Sequence, residues 1–425
     1  MPPRLAPAGR RRPVDLVVPG SSLAEALAPY AAATGPGREV ALCSGADRLV
    51  ARRDGTDAWL EVTAGGRTTR HAEPSPGGSE PGGEAGELGL ALTGTHLSVL
   101  TRTAGEWVVR GRVDLRGRID TRDEGWLAGL RSDAPVAGRF GQVGLRDVRQ
   151  VTHADGTAYR TDGRVLLTAT SAGPGFFDTA HASVWALDPA TLDLAHLSDL
   201  YFRRPGTAGA YGDHAVHLLR DGGRWLVAAS TWGDFDRGGP GATVAVTLAE
   251  TGADLLRGTH LLDTRPLALP TTGLRSVGVW DPHLVRTPEG WLVGFVSATR
   301  FFRFHPALAE GPTLDDLTLR AAATRRTATE GTTLAHLGGA WRVLASDGRD
   351  GPRRHRARYP VFDLDLRETG ELDAPYPSNI SWPTLVATDD GWLLVGFDGR
   401  AYGGPVPGYG THGDLVFARS TPGGA

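Results

Sequence analysis

The feature that most constrains this chain is a hairpin unit that recurs through its last two thirds. In WDPHLVRTPEGWLVGFVSAT (280–299) an apolar strand meets a Pro-Glu-Gly turn and continues into a second apolar strand, which is ordinary hairpin chemistry. Asp281 stands at the front of the unit, before a proline that cannot extend the ladder, so its carboxylate lies where a strand begins. Related units occupy 153–171, 212–230, 329–347 and 378–398. Keyed on the first apolar residue after the turn, the five align at Val165, Trp225, Trp291, Trp341 and Trp392, spaced by 60, 66, 50 and 51 residues. Strands repeated at that interval, with few helical periods, predict an all-β fold, a five-bladed β-propeller over 141–425. The final strand, GDLVFARS (413–420), either completes the last blade or pairs with N-terminal residues to close the ring.

The remainder reads as a β-rich N-terminal region. Residues 1–36 form an N-terminal extension, with one short helix expected within Ser21–Ala33. Residues 37–140 carry successive strand patterns and make either a small sandwich against the propeller or an extended appendage. Within them, 71–87 (HAEPSPGGSEPGGEAGE) is a low-complexity loop with too little apolar surface to fold. A net charge of −3 gives no reason to invoke nucleic acid or an acidic membrane surface. No run reaches the roughly 18–20 apolar residues of a membrane span. The N-terminus shows no apolar export segment, and Cys43 alone excludes an intrachain disulfide. These features point to a cytoplasmic protein.

Ten places before the keyed positions stand Asp155, Ala215, Asp281, Gly331 and Trp382, with Glu330 one place further back. A ring of blades would aim Asp155, Asp281 and Glu330 into one cavity. Three carboxyls there raise each other's pKa, so that one stays protonated as a general acid while another ionises as a base. Inverting glycoside hydrolysis needs that division of labour. His153, His214, His217 and His283 fall near blade fronts and are candidates for recognising sugar hydroxyls. The spacings that mark strong metal sites are absent, so neither metal nor cofactor is expected. Trp232, Trp280, Trp382 and Phe301-Phe302 are candidates for stacking on a sugar ring. Arg146-Asp147 is a candidate substrate grip and a rival to Asp155 as base. The cationic run Arg349–Arg358 reads first as a solvated loop and second as a contact for an anionic group.

The blade fronts resemble glycoside hydrolase family 43 and its five-bladed relatives in families 32 and 68. Trp280-Asp281-Pro282 is close to the Ile-Asp-Pro that opens that family's third blade. Thr329-Glu330-Gly331-Thr332 is similar to its fourth-blade Glu-Gly-Pro, with Thr for Pro, and Ala154-Asp155-Gly156 to its first-blade Asp-Pro, without the Pro. The resemblance covers roughly 145–420 and implies Asp155 as general base, Asp281 as pKa modulator and Glu330 as general acid. It implies inversion at a pentoside such as an arabinoside or xyloside, within a carbohydrate or glycosylated small molecule. His214-Ala215-Val216-His217 and Ser381-Trp382-Pro383 depart from the family's second and fifth blades, the latter where many members place a histidine over a central metal. A fructosyl hydrolase or transferase and a glycoside phosphorylase are alternatives within the enzyme class. A non-catalytic propeller binding glycan or protein is the alternative outside it.

Overall fold

The structure is a computed structural model that describes residues 4–55, 57–72, 86–239, 241–400 and 413–420. Among the described residues the chain is nearly all β, arranged in seven sheets. The low-complexity stretch 71–87 lies mostly outside them.

Five sheets follow one another from Leu145 onward. The first contains Leu145–Gln150, Arg164–Ser171, His181–Leu187 and Leu194–Arg203, extended by Gly258–Asp263. The second is built on His214–Asp221, Arg224–Ser230 and Val246–Thr251. The third runs Gly278–Thr287, Gly290–Arg300, Arg303–Thr313 and Asp316–Ala322, and the fourth Thr329–Leu337, Ala340–Asp347, Pro360–Phe362 and Glu368–Glu371. The fifth joins Thr384–Thr388, Gly391–Asp398 and Asp414–Ser420 to Leu5–Arg11 from the other end of the chain. The final strand therefore pairs inside the fifth sheet and also receives the N-terminal strand.

Burial follows sheet position. Gly290–Arg300 is buried along nearly its whole length because neighbouring sheets cover both its faces, whereas the outermost Asp316–Ala322 alternates between exposed and half-buried. Side chains stitch each of these sheets to the next. Thr168 Oγ1 donates to Val216 O (2.8 Å), Leu284 N donates to His217 Nδ1 (3.0 Å), and Leu334 N donates to His283 Nδ1 (3.4 Å). Ser346 Oγ meets Tyr376 OH at 2.9 Å, and Thr384 Oγ1 donates to Val148 O (2.6 Å), which brings the fifth sheet back to the first.

The other two sheets form an N-terminal sandwich. One has the order Glu106–Asp114, His96–Thr103, Leu88–Thr93, Tyr30–Gly35, Val136–Gln142, Asp15–Val17; the other is the meander Glu39–Ser44, Asp47–Asp54, Asp57–Ala64, Arg67–His71. Ala31, Ala33, Leu90 and Val99 of the first pack against Leu42, Leu49, Leu60 and Val62 of the second. The helix expected within Ser21–Ala33 is instead a single 3-10 turn, Leu23–Glu25, followed after Pro29 by the strand Tyr30–Gly35. Burial of Ala31–Ala33 between two neighbouring strands overrides alanine's helical preference. Among the described residues, no helix is long and apolar enough to cross a membrane.

Candidate active site

Four of the five inner strands share one irregularity. Pairing breaks between Arg146 and Arg149, His214 and His217, Trp280 and His283, and Glu330 and Thr333. In each break two residues oppose one on the partner strand, which is a β-bulge. The first bulged residue is left-handed every time: Asp147 (φ 51°), Ala215 (φ 55°), Asp281 (φ 57°) and Gly331 (φ 71°). Only one of the four is glycine, so three positions hold a conformation costing about 1–2 kcal/mol each. The freed N–H groups are met from elsewhere. Ala215 N donates to Thr170 Oγ1 (3.2 Å), Asp281 N to Ser230 Oγ (3.0 Å), and Gly331 N to Asp281 Oδ2 (3.3 Å).

These bulges open on a cavity of about 210 Å³ lined by Asp147, His214, Trp280, Asp281, Glu330 and Trp382, with Phe177, Trp232, Phe302 and Phe304 forming its aromatic side. A regular strand would turn Glu330 and the residue one place later to opposite faces. The bulge removes that constraint, and Trp280 and Asp281, adjacent in sequence, both reach the cavity. Of the residues expected at a site, the structure thus brings together Asp147, Asp281, Glu330, His214, Trp280 and Trp382.

Asp155 does not join them. It is exposed in a tight turn, where its Oδ1 accepts from Thr157 N (2.9 Å) and Thr157 Oγ1 (2.6 Å), bonds that hold its carboxyl below the usual range. Its neighbour Ala154 donates from N to Arg220 O (2.9 Å) and accepts at O from Arg286 N (2.6 Å). Arg220 and Arg286 lie at the far ends of the strands whose beginnings line the cavity, so Asp155 sits at the end of those strands opposite the cavity. His153 is exposed there too, its ring against Tyr159. The first strand of the first sheet is Leu145–Gln150, and residues 151–163 are an excursion between it and its partner Arg164–Ser171. Asp147 occupies the position the sequence reading gave to Asp155.

His217 and His283 are also displaced from their expected roles. Both are buried one step below the cavity floor, their rings stacked at 4.0 Å, with each Nδ1 accepting a backbone N–H. Burial holds both well below the ordinary imidazole pKa, so they are neutral packing elements. His214 does line the cavity. Its Nδ1 donates to Gly212 O (3.2 Å), and burial beside Arg146 pulls its pKa down to about 3, leaving a neutral ring.

Asp147 and Asp281 are buried, while Glu330 is partly open to the cavity. Desolvation raises Asp147, opposed by the charge of Arg146, whose Nε lies 3.7 Å from Asp147 Oδ2, and by a hydrogen bond from Thr170. Desolvation, then the charge of Asp147, pushes Glu330 up to about 8, with the indoles of Trp382 and Trp280 acting in the opposite sense. Asp281 is raised by burial and by the charge of Glu330. Burial and neighbouring carboxyl charge thus oppose the ionisation of both Glu330 and Asp281.

Arg149 is the residue the sequence reading missed. Fully buried under the cavity, it donates to Thr332 O (3.0 Å), Thr333 Oγ1 (2.9 Å) and Asp281 O (2.9 Å), and its guanidinium lies 4.5 Å from the Trp382 ring centre. Burial lowers it to about 10, against the attraction of Asp281, Asp147 and Glu330; it remains charged at neutral pH. The strand LRDVRQ (145–150) is mostly polar, and nothing local sets Arg149 apart from Arg146.

The N-terminal sandwich supports the aromatic side. His96 Nδ1 lies 3.2 Å from Asp178 Oδ2, and Tyr30 OH donates to Ala180 O (2.7 Å), fixing the turn that carries Phe177. Arg122 donates to Gly233 O (2.8 Å), next to Trp232, and the Phe177 and Trp232 rings touch at 4.4 Å. From the cationic run, Asp350 reaches the cavity rim, while Arg358 is held by Asp347, Glu368 and Glu371. Among the described residues no group of three or more His, Cys, Asp or Glu is disposed to hold a metal ion.

No family model and no curated protein matches the chain. Several solved structures are similar in chain trace. One is an inulosucrase from Halalkalicoccus jeotgali bound to kestose, at 15% identity over 60% of this chain and 76% of that one, with a TM-score of 0.46. Another is a GH43_1 enzyme from Xanthomonas citri complexed with xylose, at 13% identity over 66% and 89%, TM-score 0.46. A third is a family 117 glycoside hydrolase from Zobellia galactanivorans, at 10% identity over 64% and 84%, TM-score 0.45.

Proposed function

We propose that the five sheets are blades of a five-bladed propeller and that the chain is a glycoside hydrolase acting by acid/base catalysis. The observation that carries this reading is the convergence of Asp147, Asp281 and Glu330 from three separate inner strands on one cavity, over a buried Arg149. A binding protein gains nothing from grouping three acids whose ionisation is opposed by burial, whereas an acid/base pair requires groups with separated pKa values.

In this reading Glu330, protonated near neutral pH, gives its proton to the leaving oxygen. Asp147, kept anionic by Arg146, takes a proton from the water that attacks the anomeric carbon from the other face, with inversion. Asp281, raised by burial and by the charge of Glu330 and opposed by Arg149 and the Gly331 N–H, takes the part of pKa modulator. The small cavity suits one sugar ring, and a pentoside is the favoured substrate.

The test is hydrolysis of a panel of nitrophenyl pentosides, hexosides and fructosides, alongside natural oligosaccharides, by the wild type and Glu330→Gln. Turnover of one class, lost by roughly 10²–10⁴-fold in the variant, supports the assignment. NMR of the first-formed anomer then decides inversion. A folded protein silent across the panel overturns the reading.

A further inference from the structure

We infer that the aromatic lip of the cavity is a subsite for a planar apolar leaving group, so that the substrate is a sugar carried on an aromatic or polycyclic alcohol. The term leaving group rests on the hydrolase reading above; the aromatic site itself stands on its own geometry.

Phe302 is the key residue. Arg300 pairs with Arg303, so Phe301 and Phe302 form the tip of a hairpin, and Phe302 adopts φ 65°. That conformation suits glycine or asparagine and is unfavourable for a bulky side chain. The residue is also 42% exposed, one of very few large apolar residues so open among those described. Neither the backbone nor the exposure helps the chain fold. Strain together with exposed apolar surface at a cavity mouth is the pattern of a residue held for a ligand.

Its surroundings complete the subsite. Phe302 faces Phe177 (centroids 6.4 Å, 29° between planes) and meets Phe176 edge-on at 6.4 Å. Phe177 lies against Trp232, and the Arg237 guanidinium carbon is 5.1 Å from the Phe302 ring centre. These rings come from loops of three different sheets, and Phe177, Trp232 and Phe302 line the cavity. A second sugar there would need partners for several hydroxyls, and the side chains of Phe176, Phe177 and Phe302 offer none. A flat apolar group needs only the ring faces.

Two measurements test this. The first is calorimetric titration of the full chain and of Phe302→Asn with 2-naphthylmethanol, with thermal melts of both. The expected result is saturable binding weakened at least tenfold in the variant, whose melting temperature is no lower because asparagine tolerates φ 65°. Equal affinity in the two proteins, or no binding by the wild type, overturns the inference. The second is the ratio of kcat/KM for benzyl over methyl glycoside, two leaving alcohols of similar acidity. It should exceed ten in the wild type and fall about tenfold in Phe302→Asn; a ratio near one overturns the subsite. A protein that turns over glycosides but shows neither effect defeats only this inference. One that binds the probe through Phe302 and hydrolyses nothing supports the aromatic site and defeats the hydrolase reading.

Discussion

The two ends of the strands that line the cavity hold the same kinds of residue in opposite physical states. At the cavity end, Asp147 and Asp281 sit on left-handed bulges, buried, next to Glu330 and over Arg149. At the far end, Asp155 sits in an ordinary turn, exposed and satisfied by Thr157. Burial raises the first set and turn hydrogen bonds lower the second. The difference arises from the backbone: a bulge turns two consecutive side chains toward the axis, where carboxyls meet, whereas the turn at Asp155 directs its carboxyl to its own loop.

The contrast can be broken most forcefully at the acids. Glu330→Gln and Asp147→Asn should each lower turnover by roughly 10²–10⁴-fold while the protein remains folded. Next is Arg149→Met, which leaves buried carboxylates without their counter-charge and should cost about 3–5 kcal/mol in denaturant unfolding. A loss below about 1 kcal/mol would mean that the acids are neutralised some other way.

A pH series sharpens the comparison further. Glu330 binds its proton up to about pH 8 in the folded chain, whereas in the unfolded chain it releases it near 4.5. Stability should therefore fall as pH rises through that window, because there the folded state holds the extra proton. Glu330→Gln should flatten part of the slope in thermal melts taken at several pH values. In wild-type activity the same proton gives an alkaline limb near pH 8. The smallest effect belongs to the far end: Asp155→Asn should change stability by at most about 1 kcal/mol and leave turnover at the wild-type rate.

Much of this was legible in the sequence, and the failures have definite causes. Asp281 and Glu330 were readable because their strands run straight into compact hairpins, so counting back from the turn reached the cavity. The count failed for the first sheet, where residues 151–163 separate Leu145–Gln150 from its partner and imitate the front of a unit with HADGT. His217 and His283 lie just past their bulges, and a bulge invisible in sequence decides whether such a residue faces the cavity or the layer beneath. Arg149 was unreadable as a site residue because its partners are backbone and hydroxyl groups more than a hundred residues away. The N-terminal sandwich's support of Phe177 and Trp232 likewise depends on single contacts from His96, Tyr30 and Arg122, which no local pattern marks.

The most direct test of the central claim is to measure Asp147→Asn and Asp155→Asn side by side on one substrate that the wild type hydrolyses. The account predicts that Asp147→Asn loses at least about 10²-fold and that Asp155→Asn is indistinguishable from wild type. Loss of activity in Asp155→Asn with Asp147→Asn still active would place the chemistry at the other end of the ring and contradict it.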